Sequence, residues 1–207
     1  TENVAVGANS GDANTTGAQN TSVGSNSFGA NTTGENNTAI GTYALNANTT
    51  ASNNTAVGRD ALLANTTGAS NTAAGKDALR ANTTASNNTA VGLDALTANT
   101  TGSENTAVGQ NALDANTTGQ GNTCMGQSSL SSNTTASNNT AMGVDALNSN
   151  TTGGNNTAFG KSAQSTTGSG SNNTTIGYDT RIGAADGQGQ IVIGSSVYGT
   201  TNTRVHI

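Results

Sequence analysis

Apolar positions recur in this chain every 17 residues. When each unit is numbered from a glycine at position zero, position −1 is apolar throughout. It reads Val6, Val23, Ile40, Val57, Ala74, Val91, Val108, Met125, Met142, Phe159, Ile176 and Ile193. The glycines run from Gly7 to Gly194 in eleven intervals of 17 with no insertion. Position −3 is Thr from Thr21 to Thr174, with Val4 and Ile191 at the two ends. Position +4 is usually Leu, from Leu45 to Leu147, with Phe28 before them. In segments such as "NTAVG", residues two apart share a face, which predicts a short strand. A period that never drifts predicts a solenoid in which each unit is one coil stacked on the last.

The apolar column, represented by Val57, Val91 and Val108, is expected to face inward. Thr55, Thr89 and Thr106 belong on the same side, as a β-branched interior rank, because that slot exchanges Thr with Val and Ile. Their hydroxyls would bond along the stack. Leu62, Leu79 and Leu96 supply the opposite wall, and Gly58, Gly75, Gly92 and Gly109 mark the turns. Asp60, Asp77, Asp94, Asp145 and Asp179 are read as caps of a single helical turn in the "DAL" run. Asn48, Asn65, Asn82 and Asn99, each before a Thr-Thr pair, are read as corner residues that stack into ladders. The Ala rank (Ala39, Ala56, Ala73, Ala90, Ala107) is expected to point away from the Val–Thr face and let another chain pack closely. With so thin a core, this predicts a homo-oligomer, a trimer around the fibre axis.

The regular repeat occupies residues 1–160. Residues 161–194 keep the length but lose Leu and the Asn-Thr-Thr slot, and so read as degenerate terminal coils. Residues 195–207 abandon the phrase, as a cap or connector to a further C-terminal region does. Arg181, Tyr198, Arg204 and His206 gather there. The chain begins inside a repeat, as a piece of a longer protein would.

Composition narrows the chemistry. Charged residues are 8% of the chain, against roughly 25% in ordinary domains. The 28 Gly without any Pro exclude collagen and polyproline. The net charge is −5, and the six Lys plus Arg are scattered singly, so no nucleic acid is expected as a partner. No run of about 18 apolar residues predicts a membrane-inserted segment. A single His, no triad and no carboxylate pair in a cleft predict no catalytic residue, no cofactor and no metal site. The Asp of "GRDAL" does not match the calcium-binding G-G-x-G-x-D repeat. Cys124 has no disulfide partner and stands in a slot that is usually Ala, the mark of a tight place. Asn-x-Thr triplets abound, but stacked coils leave little room for a sugar on every rung.

The phrases "NVAVG" (3–7), "NTAIG" (37–41), "NTTIG" (173–177) and "QIVIG" (190–194) resemble the repeats of trimeric autotransporter adhesin heads. The longer "NTAVGxDALxANTTG" is similar to repeat tracts of phage tail-fibre and appendage proteins. The resemblance covers residues 3 to 194 and carries no catalytic residue. It implies an all-β chain, a parallel β-solenoid (β-roll) of about twelve 17-residue coils, left-handed and homotrimeric. The implied role is a structural or adhesive fibre segment of a phage tail fibre or bacterial surface appendage. Such a segment is extracellular and meets a cell-surface glycan or receptor. The alternative is an ice-binding β-solenoid using stacked Thr ranks. Against it, Thr49-Thr50 and Thr66-Thr67 are adjacent and should point opposite ways, and the remaining Thr rank reads as buried.

Overall fold

The computed structural model describes residues 2–166, 168–199 and 205–206. The fold is all-β, with one parallel sheet in strict chain order. It starts with β1 (Val4–Val6) and β2 (Thr21–Val23), continues with one three-residue strand per unit to β12 (Ile191–Ile193), and ends with β13 (Val205–His206). Each residue pairs with its equivalent one unit on, as Thr55 with Thr72, Ala56 with Ala73 and Val57 with Ala74. Only the last step is shorter, Ile191 pairing with Val205. The chain is therefore a parallel β-solenoid of 17-residue coils.

The two faces of each strand are the reverse of the expectation. Position −2 points inward: Ala39, Ala56, Ala73, Ala90 and Ala107 are fully buried. Val57 and Val91 are exposed, Val108 is half-buried, and Thr55, Thr89 and Thr106 are half-buried on the same outer side. The Ala rank is thus an interior rank, and the Val–Thr columns are the outer surface of the sheet. The core that remains is small. Leu45 to Leu147 at position +4 supply its bulk, with Phe28 in the second coil, against two small residues per coil at −2 and +3. Both are Ala except for Ser22 and Ser27 beside Phe28 and Cys124 and Ser129 beside Leu130.

No helical turn forms in the "DAL" run. Asp60, Asp77, Asp94, Asp145 and Asp179 sit instead in the left-handed backbone region, at φ between 49° and 60°. Asp and Asn accept that region more readily than other side chains. The Leu two residues later is left-handed too, as at Leu62 (φ 52°) and Leu79 (φ 51°). For Leu this costs roughly 1–2 kcal/mol. Burial of the side chain contributes about 1.5–3 kcal/mol, enough to hold it there. The alternation divides the backbone bonds between neighbours. Ala61 N–H donates within the coil to Gly58 O, whereas Leu62 N–H donates to Ala78 O of the next coil.

Two buried Asn ladders close the cross-section. In one, Nδ2 of Asn65 donates to Oδ1 of Asn48 at 3.0 Å and to Gly68 O at 2.9 Å, and the pattern repeats at Asn82, Asn99, Asn116 and Asn133. In the other, Asn71 N–H donates to Asn54 Oδ1, while Asn54 Nδ2 donates to Gly68 O. The side chains therefore saturate the main chain where the coil bends, as buried backbone groups require. The hydroxyls that bond along the stack are those of Thr32, Thr49, Thr66 and their equivalents, each to the carbonyl 17 residues on. In the degenerate region the core turns polar: Gln164 takes the Leu slot, fully buried, with Thr175 and Thr180 buried nearby. Arg204 lies outside the described residues, and His206 falls in β13.

Candidate functional site

The surface that stands out is the outer face of the sheet. From β1 to β12 it carries two parallel columns and no charged side chain: position −3, Thr from β2 to β11 with Val4 and Ile191 at the ends, and an apolar residue at −1. The apolar column is substantially exposed at Ile40 (40%), Val57 (40%), Val91 (38%), Met125 (43%) and Phe159 (55%). At strand spacing, twelve rungs make a strip about 55 Å long and ~10 Å wide. One of its two columns is Thr, so the strip is uncharged over its whole length and apolar along the −1 column.

No protein-family model and no curated protein sequence matches this chain. Its reading therefore rests on the geometry of the face and on the residues around it.

The residues singled out from sequence divide cleanly. Val57, Val91, Val108, Thr55, Thr89 and Thr106 come together on the outer face. Leu62, Leu79 and Leu96 lie in the interior. Gly58, Gly75, Gly92 and Gly109 form one line beside the strands, at φ between 135° and 145°. The outward Val column had a signal in the sequence, namely size tolerance. Position −1 admits everything from Ala74 to Phe159, whereas position −2 stays small for eleven coils, reading Ala with Ser22, Cys124 and Thr175. A rank that tolerates only small side chains is packed against something; one that ignores size is open.

Elsewhere the chemistry is sparse. Among the described residues no three His, Cys, Asp or Glu side chains gather closely enough to hold a metal ion. Near the C-terminal end, Arg181 Nε and Tyr198 Oη both donate to the Asp179 carboxylate, at 3.0 and 3.2 Å, and the guanidinium lies 5.3 Å from the tyrosine ring centroid. This cluster ties successive coils together where the Leu core has ended. The ion pairs of Arg59 with Asp60 and Lys76 with Asp77 are formed by exposed cations and contribute little.

Cys124 occupies the interior small rank, fully buried. Burial pushes its thiol up from 9.0 to about 12, opposed by a bond with Ser129 and reinforced by Asp114. Two results follow. The folded protein resists a thiol reagent that modifies it promptly once unfolded. The neutral thiol is favoured in the folded state, so its contribution to stability is complete below about pH 9 and is lost as pH rises towards 12. Denaturation midpoints of the wild type and Cys124→Ala, compared between pH 8 and 11, check this: the wild type falls more steeply.

Proposed function

We propose that the chain is a structural rod segment of a fibre, a spacer or adhesive head of a phage tail fibre or bacterial surface appendage, and that it works as a homotrimer. The observation that carries this reading is the uncharged strip of Thr and apolar columns along the whole sheet. A second and third copy laid parallel to the first would cover that strip, matching identical columns along one axis. Repetition then sets the length of the rod, and weak contacts to a cell-surface glycan or receptor are multiplied by it. No catalysis is needed for that work. The stripe first expected to meet the neighbouring chain, the Ala rank, is interior, so the partner's place moves to the opposite side of the strand.

Light scattering tests the assembly. The native chain is expected at three times its 20.1 kDa mass. Val91→Asp with Val108→Asp puts charge on the strip without touching the core, and is expected to give a monomer that keeps its β spectrum. A clean monomer from the native chain overturns the trimer.

One observation favours a second reading, ice binding. The Thr rank at −3 faces outward beside a second column, which removes the objection that it is buried. The two readings compete for the same face. Irregularity of the −1 column weighs against ice, since Ala74 is recessed and Met125, Met142 and Phe159 vary in size along a surface that would have to match a lattice. Thermal hysteresis from a monomeric native chain, lost in Thr89→Lys, would favour ice binding over the fibre.

A further inference from the structure

The two Asn populations of this chain carry the same acceptor triplet in opposite surroundings. Asn-x-Thr is the signal for N-linked glycosylation. Asn31, Asn48, Asn65, Asn82, Asn99, Asn116, Asn133 and Asn150 all stand in Asn-Thr-Thr, and every one is fully buried. A second set stands in Asn-Asn-Thr: Asn36, Asn53, Asn87, Asn138, Asn155 and Asn172. These are exposed, at corners where the backbone is left-handed, with φ between 57° and 63°.

Glycosylation joins a sugar to Nδ2 of the side-chain amide with loss of one N–H. In the interior ladder both of those hydrogens are in use. Asn82 Nδ2 donates to Asn65 Oδ1 at 2.8 Å and to Ala85 O at 3.0 Å. A sugar there would remove one of the two bonds, breaking either the ladder to Asn65 Oδ1, which has no other donor, or the corner bond to Ala85 O, which Asn71 Nδ2 shares. It would also need space in a fully packed interior. The corner asparagines face solvent and meet neither difficulty. Transfer to an unfolded chain does not distinguish the two sets, because both triplets are then open.

We infer that this rod forms only from chains whose Asn-Thr-Thr asparagines are free of N-linked glycan, so that maturation through an oligosaccharyltransferase-bearing secretory route is closed to it, while the finished rod tolerates such a glycan at its corner asparagines. The inference is independent of the oligomeric state.

The test places a secretory leader on the full chain in a eukaryotic host and compares it with the same chain made in a bacterial cytosol. The secreted wild type is expected to be glycosylated on interior positions and to lose the β spectrum and protease resistance of the cytosolic protein. Tunicamycin, which blocks the glycan donor, is expected to restore both. A silenced variant removes the interior triplets without touching an interior Asn. It carries Ala at the second, exposed Thr of each pair from Thr16 to Thr152, together with Ser22→Ala and Thr175→Ala, which place the alanine usual in their column. It is expected to be secreted folded, with glycans at the corner positions by mass spectrometry. A folded secreted wild type, whether bare or with glycan on Asn48, Asn65 or Asn82, overturns the inference. So does failure of tunicamycin to rescue folding, the readout that still decides the matter should the silenced variant itself not fold.

Discussion

Gly92→Ala is expected to cost about 4 kcal/mol or more, enough to open the stack between two coils. Gly92 holds φ +136°, a conformation that residues with a Cβ rarely adopt. A Cβ there would also stand 2.5 Å from the carbonyl oxygen and 2.7 Å from the carbonyl carbon of Gly109 in the next coil. The control separates strain from crowding. A Cβ on Gly68 would likewise meet a carbonyl oxygen of the next coil, that of Ala85. Yet Ala51, Ala85 and Ala136 occupy that same column in other coils, and its φ is not in the left-handed region. Gly68→Ala is therefore expected to change stability by less than about 1 kcal/mol. Urea midpoints of the two variants decide the matter; equal losses would mean that crowding, and not backbone conformation, keeps the glycine line.

Asn82→Asp, a change of one atom, is expected to be nearly as damaging at neutral pH and much milder in acid. Asn82 donates twice, to Asn65 Oδ1 and Ala85 O, and accepts once, from Asn99 Nδ2 at 3.0 Å. A carboxylate keeps the acceptor and turns both donors into lone pairs facing lone pairs, in a site with no exposure. Ala85 O keeps a second donor, Asn71 Nδ2 at 2.9 Å, but Asn65 Oδ1 is left without one, which costs about 1–3 kcal/mol, and burying an unpaired charge adds to that. Burial would raise the pKa of the introduced carboxyl above its unfolded value of about 4. The neutral form is then the better tolerated one, so stability is regained as pH falls towards the unfolded value and is lost as pH rises. Asn82→Ala, which loses the bonds without adding charge, should show no such dependence. Thermal melts of the two variants at pH 4 and pH 7 provide the comparison; parallel behaviour would mean that donor identity in the ladder is unimportant.

These two sites were unequally legible in the amino-acid sequence. The glycine line is visible directly, because only a stacked backbone approach explains a Gly at every seventeenth position beside an apolar residue. The Asn of Asn-Thr-Thr announces a repeated role and a ladder. Its burial is less visible, since Asn is ordinarily an exposed turn residue and only the closure of the coil surrounds it. The left-handed corners fall on a different Asn, such as Asn53 at φ 63°. The Asp of "GRDAL" shows the limit of local rules. Its preference for helix caps and its tolerance of left-handed backbone are both real, and the chain uses the second because Leu62 must be carried inward two residues later.

The sequence alone determined the coil length, the parallel register, the glycine line and the pairing of Thr with Val on one side of each strand. All of these follow from a 17-residue period and the two-residue alternation of a strand. Which side is inside was left to the tertiary structure. A three-residue strand has two candidate faces, and hydrophobicity favours the one with Val, Ile and Phe. Closing a loop of 17 residues around one Leu and two ladder Asn per coil leaves space opposite them for a residue the size of Ala. The larger apolar side chains are therefore on the outside, in an uncharged strip along the sheet.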